Sequence, residues 1–358
     1  MSAASSLIAI LERIQPVDPD WIEQARARQL QLTKPPGSMG RLEEIANRMA
    51  AIQGTLSPCV KRPRIVLFAA DHGVCAEGVN AYPQAVTAQM VANFLRGGAA
   101  INALAGACGV ELEIVDAGVA SEIPVTRGLI CRAIALGTRN FCEEPAMTRD
   151  QAAAAVAVGI EMADRAAAEG CTLMGIGEMG IANTTVASAL TAALTGLDPA
   201  SVIGRGTGAD EGCMARKRSA VERALSRHLV HIHEPLDFLA HLGGFEIGAM
   251  CGLCLGAAAN RRAVLVDGFI ATAAAVLALR FNASVRDYLL PAHRSTEPGH
   301  APLLELIGHR PLLDLEMRLG EGTGAALAVP IVRAAVAAFT GMATFASAGV
   351  ADAAGEVS

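Results

Sequence analysis

Short apolar runs that end at a glycine or an acid, several followed by a segment of helical period, constrain this chain more than any other feature. The runs are Ile65–Ala70, Glu111–Val115, Thr172–Gly175, Ala263–Val266 and Leu312–Leu315, each too short for a helix. Ala85–Leu95, Ile181–Leu194, Phe269–Leu279 and Ala325–Phe339 supply the helical period. Strands that alternate with helices are joined by right-handed crossovers, so the expected fold is α/β, with a mainly parallel sheet flanked by helices. Before residue 55 the texture is helical only. One helix carries Trp21, Ile22, Ala25 and Leu30, with Asp20 or a neighbour as its cap, and Arg41–Gln53 is a second, amphipathic one. Thr33–Gly40 separates them, because two prolines and two glycines cannot continue a helix.

Composition narrows the class. Apolar residues make up 52% of the chain but aromatics only 3%, so the core is built from small aliphatic side chains, which suits helices packed closely on strands. With 29 basic and 35 acidic residues the net charge is −6 and no basic tail occurs, so a nucleic-acid partner is not expected. The uncharged stretches Met179–Leu197 and Ala334–Ala351 are long enough to span a bilayer, yet they are rich in Ala, Gly, Ser and Thr and read as buried helices. The N-terminus lacks a basic region ahead of its apolar residues, which argues against a signal peptide. A cytoplasmic protein with its nine cysteines as thiols is the expectation.

In a parallel sheet, ligands bind beyond the carboxyl ends of the strands, so the turns there carry the chemistry. They include Asp71-His72-Gly73, Gly177-Glu178-Met179-Gly180, Asp267-Gly268 and Glu321-Gly322-Thr323-Gly324. Gly175–Gly180 has the spacing of a dinucleotide loop, but Glu178 would repel a pyrophosphate and the first strand would normally carry that loop. Gly204-Arg-Gly-Thr-Gly208 follows a strand-like segment and precedes a helix with Lys217, one of only three lysines. Its glycine amides, the Thr207 hydroxyl and the helix N-terminus suit a monophosphate. Glu321 sits in a glycine-rich turn before an apolar helix; it reads as a general base with raised proton affinity or as a helix N-terminal acid. Cys251-Gly-Leu-Cys254 and the histidines at 228, 231, 233 and 241 lack complete ligand sets, and His72 reads as a hydrogen-bonded turn residue. His293–His300 is too polar for a core and reads as a loop bordering a site.

The order of these pieces along the chain is more specific than any one of them. Lys34–Glu43, Ala70–Gly73, Tyr82-Pro83 with Val86–Met90, Gly97–Asn102, Gly175–Thr185, Gly204–Gly208, Val266–Gly268, His293–His300 and Leu319–Ala326 together resemble the nicotinate-nucleotide:dimethylbenzimidazole phosphoribosyltransferases. The likeness runs from about residue 30 to residue 340, with Ala182 where Gly is expected and Glu316 more polar than usual. It implies a Rossmann-like sheet (61–325) with a small helical domain from the two chain ends (1–60 and 326–358), in a homodimer. The implied substrates are nicotinate mononucleotide and 5,6-dimethylbenzimidazole, with no cofactor and no metal. The resemblance makes Glu321 the catalytic base and Glu178 an auxiliary carboxylate. It puts Gly206, Thr207, Gly208 and Lys217 at the 5′-phosphate, Gly180 and Ser295 at the ribose, and Gln89, Met179, Leu319 and Tyr82 around the flat base. An oxidoreductase built on Gly175–Gly180 and a non-catalytic nucleotide binder are the competing readings.

Overall fold

A computed structural model describes residues 3–121, 123 and 126–351. Met1 and Ser2, at the start of the segment read against a signal peptide, lie outside the described residues, as do 352–358 of the expected C-terminal part. The strands are β1 (Arg64–Ala70), β2 (Glu111–Gly118), β3 (Leu129–Cys131), β4 (Leu173–Met179), β5 (Ala263–Val266) and β6 (Leu289–Pro291). They form one sheet in the order β3-β2-β1-β4-β5-β6, and every pairing is parallel. All seven residues of β1 are buried, as expected of a strand with both faces covered.

Helices α1 (Ala3–Arg13), α2 (Pro19–Gln31) and α3 (Arg41–Gln53) precede the sheet. Then come α4 (Val86–Leu95), α5 (Ala100–Cys108), α6 (Arg149–Ala168), α7 (Asn183–Thr195), the single turn α8 (Pro199–Val202) and α9 (Glu211–His228). The remainder are α10 (Pro235–Leu242), α11 (Phe245–Ala259), α12 (Phe269–Phe281), α13 (His300–Ile307), α14 (Thr323–Gly341) and α15 (Phe345–Ala348). The small-residue composition shows where α11 meets α6. A methyl added at Gly252 would sit 1.9 Å from the Val156 carbonyl oxygen, and one at Gly159 would sit 1.8 Å from that of Ala249. Only glycine permits so close an approach of two backbones. Helix α14 lies against α3, α5, β4 and β5, which joins the C-terminal part of the chain to its N-terminal helices.

Several expectations need correction. Leu312–Leu315 is not a strand: Leu313 makes one isolated bridge to His293, and Leu315 is exposed, so no burial holds the run against the sheet. Two edge strands, β3 and β6, went unread because three residues are too few to show a period. The strand-like segment before Gly204 is instead the turn α8, started by Asp198, which accepts from the Ala200 amide, and by Pro199. The cap of α2 is Asp18, close to Asp20 as the reading allowed, but Leu30 on that helix is exposed. The stretch 334–351 is not one buried helix, since α14 stops at Gly341 and exposed residues follow. Among the described residues only α14 is long and apolar enough to cross a membrane.

Candidate active site

The strand order reverses direction between β1 and β4, and a cavity of about 650 Å³ opens at the carboxyl ends of the strands there. Four buried carboxyl groups stand on its wall, Glu297 in the 293–300 segment and three that cluster at the strand ends. Glu178 comes from β4, Asp267 follows β5, and Glu321 belongs to the turn before α14. The strand β4 runs on to Met179, so Gly175 and Gly177 are strand residues rather than parts of a dinucleotide turn. Gly177 is glycine for a reason: a Cβ there would lie 2.6 Å from the Glu321 carbonyl oxygen and 2.8 Å from its carbon. The sheet and the Glu321 turn touch through bare backbone.

Glu321 holds a left-handed conformation, φ +62°, which costs a side-chain-bearing residue about 1–2 kcal/mol. Its Oε2 accepts from the Ile101 amide at 3.3 Å. Ile101 lies in the first turn of α5, preceded by Ala99, a residue with no side-chain acceptor for the helix's free amides. Glu321 therefore supplies the cap from far along the chain. Burial raises its proton affinity above that of an ordinary carboxyl, the Ile101 amide opposes this, and the charge of Asp267 reinforces it. Asp267 fixes the same turn, since its two oxygens accept from the Gly322 and Ala325 amides at 3.2 and 3.0 Å.

Glu178 is more extreme. Its burial pushes the carboxyl up to about 8, against a hydrogen bond donated by Asn183 Nδ2; Asp267, Glu246 and Glu321 add to the upward push. At neutral pH Glu178 is therefore chiefly protonated. A buried carboxyl with raised proton affinity beside a protonated one is an arrangement that suits general-base chemistry.

The Gly204–Gly208 loop is gripped from several sides. Lys217 is buried under it and donates from Nζ to the Gly204 carbonyl at 2.8 Å and to Thr184 Oγ1 at 3.1 Å. Glu297 Oε1 accepts from the Gly206 amide at 3.0 Å, and Arg318 donates to the Gly206 carbonyl. At the α9 terminus Asp210 caps the helix by accepting from the Cys213 amide, which occupies one of its free amides.

Of the residues singled out from sequence, Glu321, Glu178, Gly206, Thr207, Gly180, Ser295, Tyr82, Met179 and Leu319 all line the cavity. Lys217 lies beneath its wall, and Gly208 and Gln89 are exposed outside it; Met90, one residue beyond Gln89, lines it instead. Asp267, Asn183, Glu297 and Arg318 were missed. Asp267, Asn183 and Glu297 stood in segments already marked for attention without being singled out, and only Arg318 lay outside every marked segment. The His293–His300 loop borders the site as expected, with His293 and Ser295 on the wall. His72 is fully buried and its Nε2 lies 2.9 Å from Glu246 Oε1, so the bonded-turn reading was sound. Cys251 and Cys254 are buried in α11, where loss of solvent pushes the Cys254 thiol up to about 12. His228 and His241 bond to each other through Nδ1 at 3.0 Å, and His228 Nε2 is taken by the Phe141 carbonyl.

Comparison with known proteins decides the family. A family model described as phosphoribosyltransferase matches residues 14–350. The chain belongs to the nicotinate-nucleotide–dimethylbenzimidazole phosphoribosyltransferases. The protein so named from Geobacter sp. (strain M21) is 51% identical over 344 residues, which are 96% of this chain and 99% of that one. The Cupriavidus necator protein of the same name is 52% identical over 94% of this chain and 97% of its own. Among solved structures, the Thermus thermophilus phosphoribosyltransferase of that name superposes with a TM-score of 0.88 at 50% identity, covering 94% of this chain and 99% of that one. A structure of CobT from the same organism gives 0.89 at 51% identity, over 93% and 99%. As a phosphoribosyltransferase, this chain has the carboxyl-end cavity of its sheet as the natural place for a nucleotide.

Proposed function

We propose that this enzyme transfers the phosphoribosyl group of nicotinate mononucleotide to 5,6-dimethylbenzimidazole, yielding α-ribazole 5′-phosphate and nicotinate for the lower ligand of cobalamin. The bond from C1′ to the pyridinium nitrogen breaks and its electron pair stays with nicotinate, whose ring becomes neutral and needs no acid. A ring nitrogen of the acceptor attacks C1′ from the opposite face, inverting β to α. The proton on the acceptor's other nitrogen goes to Glu321, which cancels the positive charge that would otherwise build in the transition state. The observation that carries this reading is a buried carboxyl on the cavity wall, with raised proton affinity and a single main-chain amide to hold it.

Glu178, protonated, serves as the auxiliary group beside the base or ribose. Gly206, Thr207 and Gly208 take the phosphate with Lys217 supporting their loop from below, Gly180 and Ser295 border the ribose, and Met179, Leu319, Tyr82 and Gln89 form the slot for the flat base. The family likeness supports a cytoplasmic homodimer in which residues 1–60 and 326–358 make a small helical domain. Glu321→Gln is expected to lower nicotinate release, followed by chromatography, by about 10²–10⁴-fold while the nucleotide still binds. Unchanged release would remove Glu321 from its role.

A further inference from the structure

The cavity presents an electrostatic problem to any nucleotide. Its wall bears the carboxyl groups of Glu178, Asp267, Glu297 and Glu321, and among the described residues Arg318 is the only lysine or arginine that lines it. The nearby ammonium of Lys217 is buried and already bonded to the Gly204 carbonyl and Thr184. A phosphate monoester carries nearly two negative charges at neutral pH, and even with Glu178 protonated it meets Asp267, Glu297 and Glu321 with one lining cation to answer them.

Both ends of the Gly206 peptide are taken by ionic side chains. Glu297 accepts from its amide at 3.0 Å and Arg318 donates to its carbonyl. Neither ion is well satisfied. Glu297 Oε2 is buried without a hydrogen-bond partner, pressed toward Gly204, where a Cβ would stand 1.9 Å from it. Arg318 has no carboxylate within ion-pair distance among the described residues and uses one hydrogen bond of the five its guanidinium can donate. A carboxylate with one free buried oxygen thus occupies a glycine-loop amide, and an unpaired guanidinium stands across the same peptide.

We infer that Glu297 and Arg318 are an internal stand-in for the donor's phosphate: Arg318 is the cation that the phosphate engages, and Glu297 is the anion that it displaces from the Gly206 amide. The inference rests on the phosphoribosyl reading but adds two residues to it. Displacement frees an N–H for a phosphate oxygen, removes the nearest repelling charge and moves the 293–300 segment that carries His293 and Ser295. Nicotinate also bears an anion, its carboxylate, but the bond of Arg318 to the glycine loop favours the phosphate.

Calorimetric titration of the full chain with inorganic phosphate, and separately with nicotinate, tests this without turnover. Arg318→Gln is expected to weaken phosphate binding at least about tenfold while nicotinate binding shifts less than twofold. Arg318→Lys, which keeps a charge but not the planar fork, is expected to fall between. Glu297→Gln keeps a carbonyl acceptor for the Gly206 amide and removes the charge, so phosphate should bind at least about threefold more tightly. Phosphate affinity unchanged in both Arg318 variants, a loss confined to nicotinate, or weaker phosphate binding in Glu297→Gln would each overturn the inference. Nicotinate release by the unaltered enzyme is measured in parallel. Its absence would count against the phosphoribosyl reading, whereas its presence beside any of those outcomes would count against the stand-in alone.

Discussion

Individual residues in this enzyme keep uncomfortable states for identifiable reasons. Glu178 is a carboxyl held at about 8 by burial, so the folded protein retains a proton that the unfolded chain releases near its ordinary value of 4.5. Stability from this group is therefore full in acid and declines as pH rises from about 4.5 through about 8. Urea midpoints measured from pH 5 to 9 should fall, and Glu178→Gln should flatten that fall. An equally steep decline in the variant would assign the pH dependence elsewhere. Ala182 adopts φ +77° at the start of α7, a conformation that glycine accepts without a Cβ penalty. Ala182→Gly is expected to stabilise the fold by about 0.5–1 kcal/mol, the left-handed cost relieved less the added freedom of the unfolded chain, read as a raised urea midpoint. That position was legible in advance as a departure from glycine. The strain at Glu321 was not, because no local pattern requires φ > 0 of a glutamate.

At the scale of elements, what the sequence made readable follows from how local each signal is. Strand β5 falls where its run length places it, and β1 begins one residue earlier. Each has a long or fully buried apolar signature of its own. The edge strands β3 and β6 owe their pairing to neighbours, and Leu312–Leu315 owes its irregularity to the absence of one. The contact of β4 with the Glu321 turn is tertiary in the same sense. Gly177→Ala would press a methyl on the Glu321 backbone, and the turn would have to shift. Misplacement of a catalytic group by a fraction of an ångström to one ångström costs up to about 100-fold in rate, so nicotinate release should fall while circular dichroism stays native. Full activity in that variant would show that the turn has room to adjust.

For the molecule as a whole, the motifs along the chain located the cavity because strand ends converge wherever the sheet's connections reverse direction. Nine of the twelve residues carried over by resemblance line one space. What stayed illegible was which charged groups face that space and which lie under it, since Lys217, Glu297 and Arg318 differ there by side-chain direction rather than by position in a motif. Net charge does not reveal this either: a chain with a modest overall −6 concentrates four acids around a single guanidinium. A ligand that supplies what the cavity lacks should stabilise the native state by mass action. Thermal melts with nicotinate mononucleotide at 100 times its dissociation constant should gain about 2.7 kcal/mol, seen as a raised midpoint. No shift at that excess would mean that the nucleotide has no preference for the folded chain.

The hydrogen bond from Ile101 to Glu321 ties the proposed proton acceptor to the leading edge of a helix over two hundred positions upstream. On the role proposed for Glu321, reactivity is thus mortgaged to a scaffold element outside the lining of the cavity. Sequence drift in the packing beneath α5 would retune the acid limb of the rate profile, and variants hunted for altered pH response are best sought in that remote support.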